Sequence, residues 1–140
     1  MQVIDGSEHI MGRLATHIAK QLLSGEEVIV VNAEKIVITG RKVQILEDYN
    51  NRRNRGVAGR NRFGPYYPRM PDRMFKRTVR GMIPYQEPRG RTAFKKLKVY
   101  IGIPLDMRDA NLTKVEKALD RGATRKILLG DVATWLGADF

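Results

Sequence analysis

Arg73, Lys76, Arg77 and Arg80 fall at i, i+3, i+4 and i+7. At about 100° per helical residue, that spacing gathers four cations into one narrow stripe. The chemistry open to such a stripe is the binding of a polyanion, because a guanidinium can grip phosphate with two parallel N–H donors and also stack on a base. Met74, Phe75, Thr78, Val79 and Met82 occupy the opposite arc, so the same helix can pack against a core. The expected helix is N-capped by Asp72 and closed by Gly81 and Pro84. A solvated surface helix is the ordinary explanation of a charge run. Here no acid lies between the four cations, and the nearest one, Asp72, is expected at the cap. Four like charges repel unless an anion lies across them, and the balance favours a polyanion partner.

The other candidate chemistries are weaker. Gly6 and Gly12 are one residue too far apart for a phosphate-binding P-loop, and Arg13-Leu14 follows where Lys-Ser/Thr is needed. The chain contains no Gly-x-Gly-x-x-Gly. Gly56-Val57-Ala58-Gly59 has the form of a KH loop but lacks the helix that should follow it. His9 and His17 are the only histidines, with no acid cluster at ligand spacing, and are expected to be exposed on helix sides rather than to hold a metal. Glu47 and Asp48 are adjacent and point to different faces of a helix, so they do not form an acid/base pair. Gly40-Arg41-Lys42 sits at a strand-to-helix turn. It is either a plain tight turn or a place where helix amides and two cations hold a phosphate.

The elements that must position these groups come from one chain of 140 residues, expected to fold as a single domain, 1–140, with a basic insertion at about 52–71. No apolar run approaches the roughly 20 residues that cross a bilayer, and the start lacks the layout of a signal peptide. With no cysteine, disulfides, thiol catalysis and zinc–thiolate sites are excluded, and a reducing cytoplasm fits. The net charge of +11 points to nucleic acid or an anionic surface. Its distribution is sharper. Positions 41–98 carry 17 Lys/Arg against 4 acids, net +13, and the remainder is net −2.

Val3 and Ile4 make a short apolar start, and Met11, Leu14, Ala15, Ile18, Ala19 and Leu22 then follow a strong helical period, with Ile18 expected in the core. Val28 to Val31 reads as a strand covered on both faces, with Val30 buried. Ile36 to Ile38 reads as a second such run. Val43, Leu46 and Tyr49 predict another helix. Together these suggest a mainly parallel sheet layered with helices. Arg52 to Pro71 breaks the pattern. It holds Arg52, Arg53, Arg55, Arg60, Arg62 and Arg69 with several Gly and Pro and no acid, and predicts an extended loop, mobile without RNA. Phe63, Tyr66 and Tyr67 lie among the arginines, either to pin the loop or to stack on bases. Beyond the basic helix, Arg89 and Arg91 precede a short helix through Ala93, Phe94 and Leu97, and Val99 to Ile101 predicts a strand. Leu112, Val115 and Leu119 predict a further helix. Ile127 to Leu129 is a short apolar run, followed by a last turn or two through Trp135. No internal repeat or interdomain linker is visible.

Val79-Arg80-Gly81-Met82-Ile83-Pro84, with Gly90-Arg91 and Leu97-Lys98-Val99-Tyr100-Ile101-Gly102, closely resembles the L-thirteen family of universal large-subunit ribosomal proteins. The likeness extends to Met11-Gly12-Arg13-Leu14-Ala15, Val31-Asn32-Ala33-Glu34-Lys35 and Ile38-Thr39-Gly40, covering about Val3 to Gly102. Ile83 stands where Leu or Val is more usual. Gly64-Pro65-Tyr66-Tyr67-Pro68 and Phe75-Lys76-Arg77-Thr78 resemble the archaeal and eukaryotic branch, and the compact length is similar to an archaeal member. Nothing is carried over to the tail after Gly102. The resemblance implies a three-layer α/β/α fold around a parallel sheet of about four strands. It also implies binding to large-subunit ribosomal RNA beside neighbouring ribosomal proteins, a place in early subunit assembly in the cytoplasm, and no catalysis, cofactor, metal, membrane or small-molecule substrate. The expected RNA-binding set is Arg41, Lys42, Arg52, Arg53, Arg55, Arg60, Arg62, Tyr66, Tyr67, Arg69, Arg73, Lys76, Arg77, Arg80, Arg89 and Arg91. The competing reading is a small α/β enzyme acting on a nucleotide or phosphorylated substrate, and a DNA-binding module is a third. A missing catalytic constellation weighs against the first, and a long basic loop favours RNA over the second.

Overall fold

The fold is described from a computed structural model covering residues 1–55 and 66–140. The expectations for Arg60, Arg62 and Phe63, and the mobility expected of the loop around them, lie outside these residues. The chain begins with a β-α-β unit: β1 (Gln2–Asp5), α1 (Met11–Leu23) and β2 (Val28–Val31). β1 and β2 pair in parallel with Ile4 opposite Val30, and β4 (Leu97–Val99) pairs in parallel on the other side of β2, giving the order β1-β2-β4. All four residues of β2 are buried, as its unbroken aliphatic run requires of a central strand. α1 lays Leu14, Ala15, Ile18, Ala19 and Leu22 inward, the stripe its period predicts. Ile18 and Val30 are both fully buried. The α/β class with a parallel sheet is thus the observed one.

The parallel sheet holds three strands, and the Ile36–Ile38 run goes elsewhere. It forms β3 (Val37–Thr39), which pairs antiparallel with β5 (Lys126–Leu128) in a separate two-stranded sheet. The reason lies in the connection. Only a short 3-10 turn at Ala33–Lys35 separates β2 from β3, whereas parallel neighbours need a crossover of about a dozen residues or more. Asn32 sets the change of direction in a left-handed conformation, φ 55°, and its amide donates to Asp5 Oδ1 at 2.9 Å.

Four more helices follow: α2 (Lys42–Asn54), α3 (Pro71–Arg80), α4 (Pro88–Lys95) and α5 (Leu129–Trp135). α2 corrects two expectations. Val43 is 69% exposed and Ile45 is the residue that turns inward. The helix also runs on through Arg52 and Arg53, which therefore stand on a helix rather than in a loop. α3 starts two residues earlier than expected, with Met70 at the cap and Pro71 at the first position, where its fixed φ suits a helix start. Asp72 lies in the first turn and makes no cap. Met82, past the helix end, is exposed. β4 ends at Val99, so Tyr100 and Ile101 fall beyond the strand.

The helix expected from Leu112, Val115 and Leu119 is absent. That segment is extended apart from a 3-10 turn at Glu116–Ala118. Thr113 N–H donates to Val3 O at 3.0 Å and Asp5 N–H donates to Thr113 O at 3.0 Å, closing the free edge of β1. An exposed row of strand donors and acceptors makes that use more favourable than a weak helix of eight residues. The histidine expectation fails at His9, which is fully buried. Its Nδ1–H donates to Ser7 O at 2.8 Å, and Nε2 accepts from Val115 N–H at 2.9 Å. Both ring nitrogens are thereby committed to backbone, with the imidazole neutral.

Candidate nucleic-acid interface

α3 is held by its apolar arc. Met74, Phe75 and Val79 are buried, and the helix packs on α1, β4 and the 3-10 turn after β2. Thr78 Oγ1 returns to Met74 O at 3.2 Å and lies 3.8 Å from Met11 Sδ of α1. With that side fixed, Arg73 and Arg80 are exposed, and Lys76 and Arg77 are half-buried. The stripe read from the spacing is present as a surface.

Aromatic rings back the stripe. The Arg77 guanidinium lies 4.3 Å from the Tyr67 ring centroid, and that of Arg80 lies 4.2 Å from Tyr85. Tyr85 meets Phe94 edge to face, centroids 5.6 Å apart. Stacked in this way, a guanidinium loses rotamer freedom before any ligand arrives, while its N–H edge stays open for phosphate. Arg52, on the last turn of α2, lies 5.4 Å from the Tyr49 ring and joins Tyr67 and Arg77 around one hollow. Burial pushes the Tyr49 phenol pKa up, and nearby Arg52 opposes this. A second groove runs past Tyr66, Arg73, Lys76 and Arg80 to Tyr85 and Phe94. Tyr66 is 73% exposed on its rim.

The expected residues divide by what they touch. Arg52, Tyr66, Tyr67, Arg73, Lys76, Arg77 and Arg80 come together around α3. Arg69 is exposed, its guanidinium 3.5 Å from where a Cβ on Gly137 would lie. Arg55 is exposed just after α2. Three arginines have internal partners. Arg53 donates to Leu136 O at 3.1 Å, satisfying a carbonyl at the end of α5. Arg91 donates to Tyr85 O and Gln86 O, both at 3.1 Å, and fastens the turn that presents Tyr85. Arg89 pairs with Glu87 at 2.7 Å, an exposed contact of little strength. Arg41 and Lys42 stand at the far end of α2, about 15 Å along the helix from Arg52, and do not belong to the same cluster. Tyr85, Phe94 and Tyr49 were missed. The available signal was an aromatic one turn past Arg80, hidden behind the break at Gly81 and Pro84.

Among the described residues, no group of three or more His, Cys, Asp or Glu side chains could hold a metal ion. No helix of these residues is long and apolar enough to cross a membrane. The arrangement can present fixed guanidiniums and aromatic faces to a chain of phosphates and bases.

Fold and surface together define a basic α/β protein with a cationic face backed by aromatic rings. The chain belongs to the family described as Ribosomal protein L13, whose model matches residues 1–106. It is similar to the large ribosomal subunit protein uL13 of Methanococcoides burtonii, 52% identical with both chains fully covered. It is also similar to uL13 of Methanocaldococcus jannaschii, 46% identical over the whole of both chains. With uL13 of Archaeoglobus fulgidus the identity is 46%, covering 96% of this chain and 86% of that one. These full-length archaeal relatives align with the tail as well, beyond the end of the family model.

Proposed function

We propose that this chain is a structural protein of the large ribosomal subunit. It binds large-subunit ribosomal RNA, sits beside other ribosomal proteins, supports early assembly in the cytoplasm and catalyses nothing. The whole chain acts as one domain, with the basic insertion at about 52–71 extending the surface. Family membership supports the ribosomal reading. The observation that carries the binding mode is the acid-free stripe of α3, with Arg77 and Arg80 laid on Tyr67 and Tyr85. Arg73, Lys76, Arg77 and Arg80 contact phosphates, Arg52 extends the row, and Tyr66 offers a face to an unstacked base.

The test is the salt dependence of binding to in vitro transcribed large-subunit RNA. Each phosphate contact contributes about 0.7–0.9 to the slope of log affinity against log salt. The double change Arg77→Gln and Arg80→Gln should flatten that slope by roughly 1.4–1.8, with the circular dichroism spectrum unchanged. Subunit incorporation should fall in parallel. An unaltered slope would assign the stripe to solvent or to a protein neighbour.

A further inference from the structure

The tail returns to the front of the molecule at a place the linear sequence conceals. β5 pairs with β3 so that Lys126 lies opposite Thr39, and Gly40 N–H donates to Arg125 O at 2.9 Å. Arg125 is therefore locked beside the turn that carries Arg41 and Lys42, although 84 positions separate Arg41 from Arg125. The preceding turn is rigid. The Asp120 carboxylate accepts from Gly122 N–H at 3.2 Å and Ala123 N–H at 2.9 Å, and binds Lys126 Nζ at 2.7 Å. The bond from Lys126 is the main reason that the Asp120 pKa lies below the ordinary carboxylate value.

That pairing divides the cations into two kinds. Lys126 is spent on Asp120, whereas Arg121, Arg125, Arg41 and Lys42 are all exposed. Among the described residues, no side-chain hydrogen bond or ion pair engages any of these four. α2 is 13 residues long, about 20 Å, and separates this cluster from the Arg52 and Arg77 end. That span exceeds the screening length of about 8 Å at physiological salt, so the two clusters attract anions independently.

We propose that Arg41, Lys42, Arg121 and Arg125 form a second RNA-backbone contact, and that the chain bridges two separate stretches of ribosomal RNA. The inference rests on the RNA reading above and extends it to arginines that lie beyond the family model, which ends at residue 106. Arginine suits the role because its fork takes phosphate oxygens bidentately from a fixed backbone. An acidic protein segment is the other anion that could meet such a patch. The stretch of RNA is favoured because all four groups are cations, and Val43, the exposed apolar side chain next to Lys42, is small and aliphatic, whereas protein interfaces concentrate their energy in buried aromatic and large apolar anchors.

The experiment uses the full chain and in vitro transcribed large-subunit RNA. The double variant Arg121→Gln and Arg125→Gln should flatten the salt slope by roughly 1.4–1.8, so that its affinity deficit shrinks about ninefold from 50 to 200 mM salt. Arg121→Lys with Arg125→Lys should restore the slope. Combining the Gln changes with those at Arg77 and Arg80 should give the sum of the two effects. Backbone footprinting should show two protected stretches, the tail variant losing one and the stripe variant the other. A normal slope for the tail variant beside a flattened one for the stripe variant would overturn the second contact and leave the RNA reading standing. Loss of the same stretch in both variants would overturn the bridge. Normal RNA binding with lost co-sedimentation on subunits would assign the patch to a protein. Normal slopes for both variants would remove the RNA reading itself.

Discussion

His9 shows how far one residue's role can lie from its sequence context. A lone histidine between Glu8 and Ile10 carries no signal of burial, yet its ring is sealed by Val115, a residue 106 positions away. Burial pushes the His9 pKa below its ordinary value of 6.5, and the hydrogen bond to Ser7 O opposes this only in part. Protonating Nε2 would set two donors against each other at Val115. In the unfolded chain His9 takes up a proton as pH falls through about 6.5, whereas in the fold it stays neutral until a lower pH. Stability is therefore full above the unfolded value and is lost as pH falls below it, by at most about 1.4 kcal/mol per pH unit from this group. The melting temperature should drop between pH 7.5 and pH 5.5. His9→Gln should start lower and vary less over the same range. Equal pH dependence in the two proteins would show that His9 titrates as freely in the fold as outside it. Asp5 behaves in the opposite sense to its burial. Burial alone would raise its pKa, but the hydrogen bonds from Asn32 and Ser7 outweigh that and leave it lowered, so its contribution fades only when pH falls towards 3.8 and below.

At the scale of elements, what could be read depended on whether one local pattern decided the outcome. α1, β2 and the stripe of α3 were legible because period and burial agree within each segment. β3 was read correctly as an apolar extended run. Its place in a parallel sheet was not, because connection length and not composition selects its partner. The segment around Thr113 was misread because three apolar residues at helical spacing weigh less than the unpaired edge of β1. The site depends on a docking that no periodicity shows. α4 crosses so close to the turn after α3 that a Cβ on Gly90 would lie 1.9 Å from Pro84 O and 2.4 Å from its carbonyl carbon. Neither atom can move without carrying the backbone of Tyr85. Gly90→Ala should therefore push the 84–86 turn away from α4, break the bonds from Arg91 to Tyr85 O and Gln86 O, and lift Tyr85 off Arg80. A cost of about 3 kcal/mol is expected, at the upper end for overpacking because backbone must shift. RNA affinity should fall more than in a variant of equal thermal stability altered elsewhere in the core, and urea unfolding beside filter binding would separate the two. A melt like that of the unaltered chain would mean that the turn gives way without strain.

For the whole molecule the decisive quantity is the mismatch between a neutral scaffold and a cationic middle. The fold is organised by β1, α1 and β2, whereas positions 41–98 carry a net +13 that the remaining −2 cannot offset. Four cations share one face of α3, and few acids lie near it, so in the free protein the interface repels itself. The same surface that RNA would neutralise is then a source of instability without RNA. Salt should act on the two states with opposite signs. Screening shortens from about 30 Å at 0.01 M to about 8 Å at 0.15 M, relieving repulsion among α3 cations that sit within one or two helical turns of each other. Relief on the order of 1 kcal/mol would raise the melting temperature of the free chain by roughly 2–8 °C over that range. Affinity for ribosomal RNA should fall steeply over the same interval, because ions compete for the phosphates. Arg77→Gln with Arg80→Gln removes half of the stripe, so the variant should melt higher than the unaltered chain at 0.01 M, and the two should converge near 0.15 M. A melting temperature independent of salt in the free chain would show that the stripe is already neutralised within the fold, and the polyanion would lose its electrostatic reason to bind there.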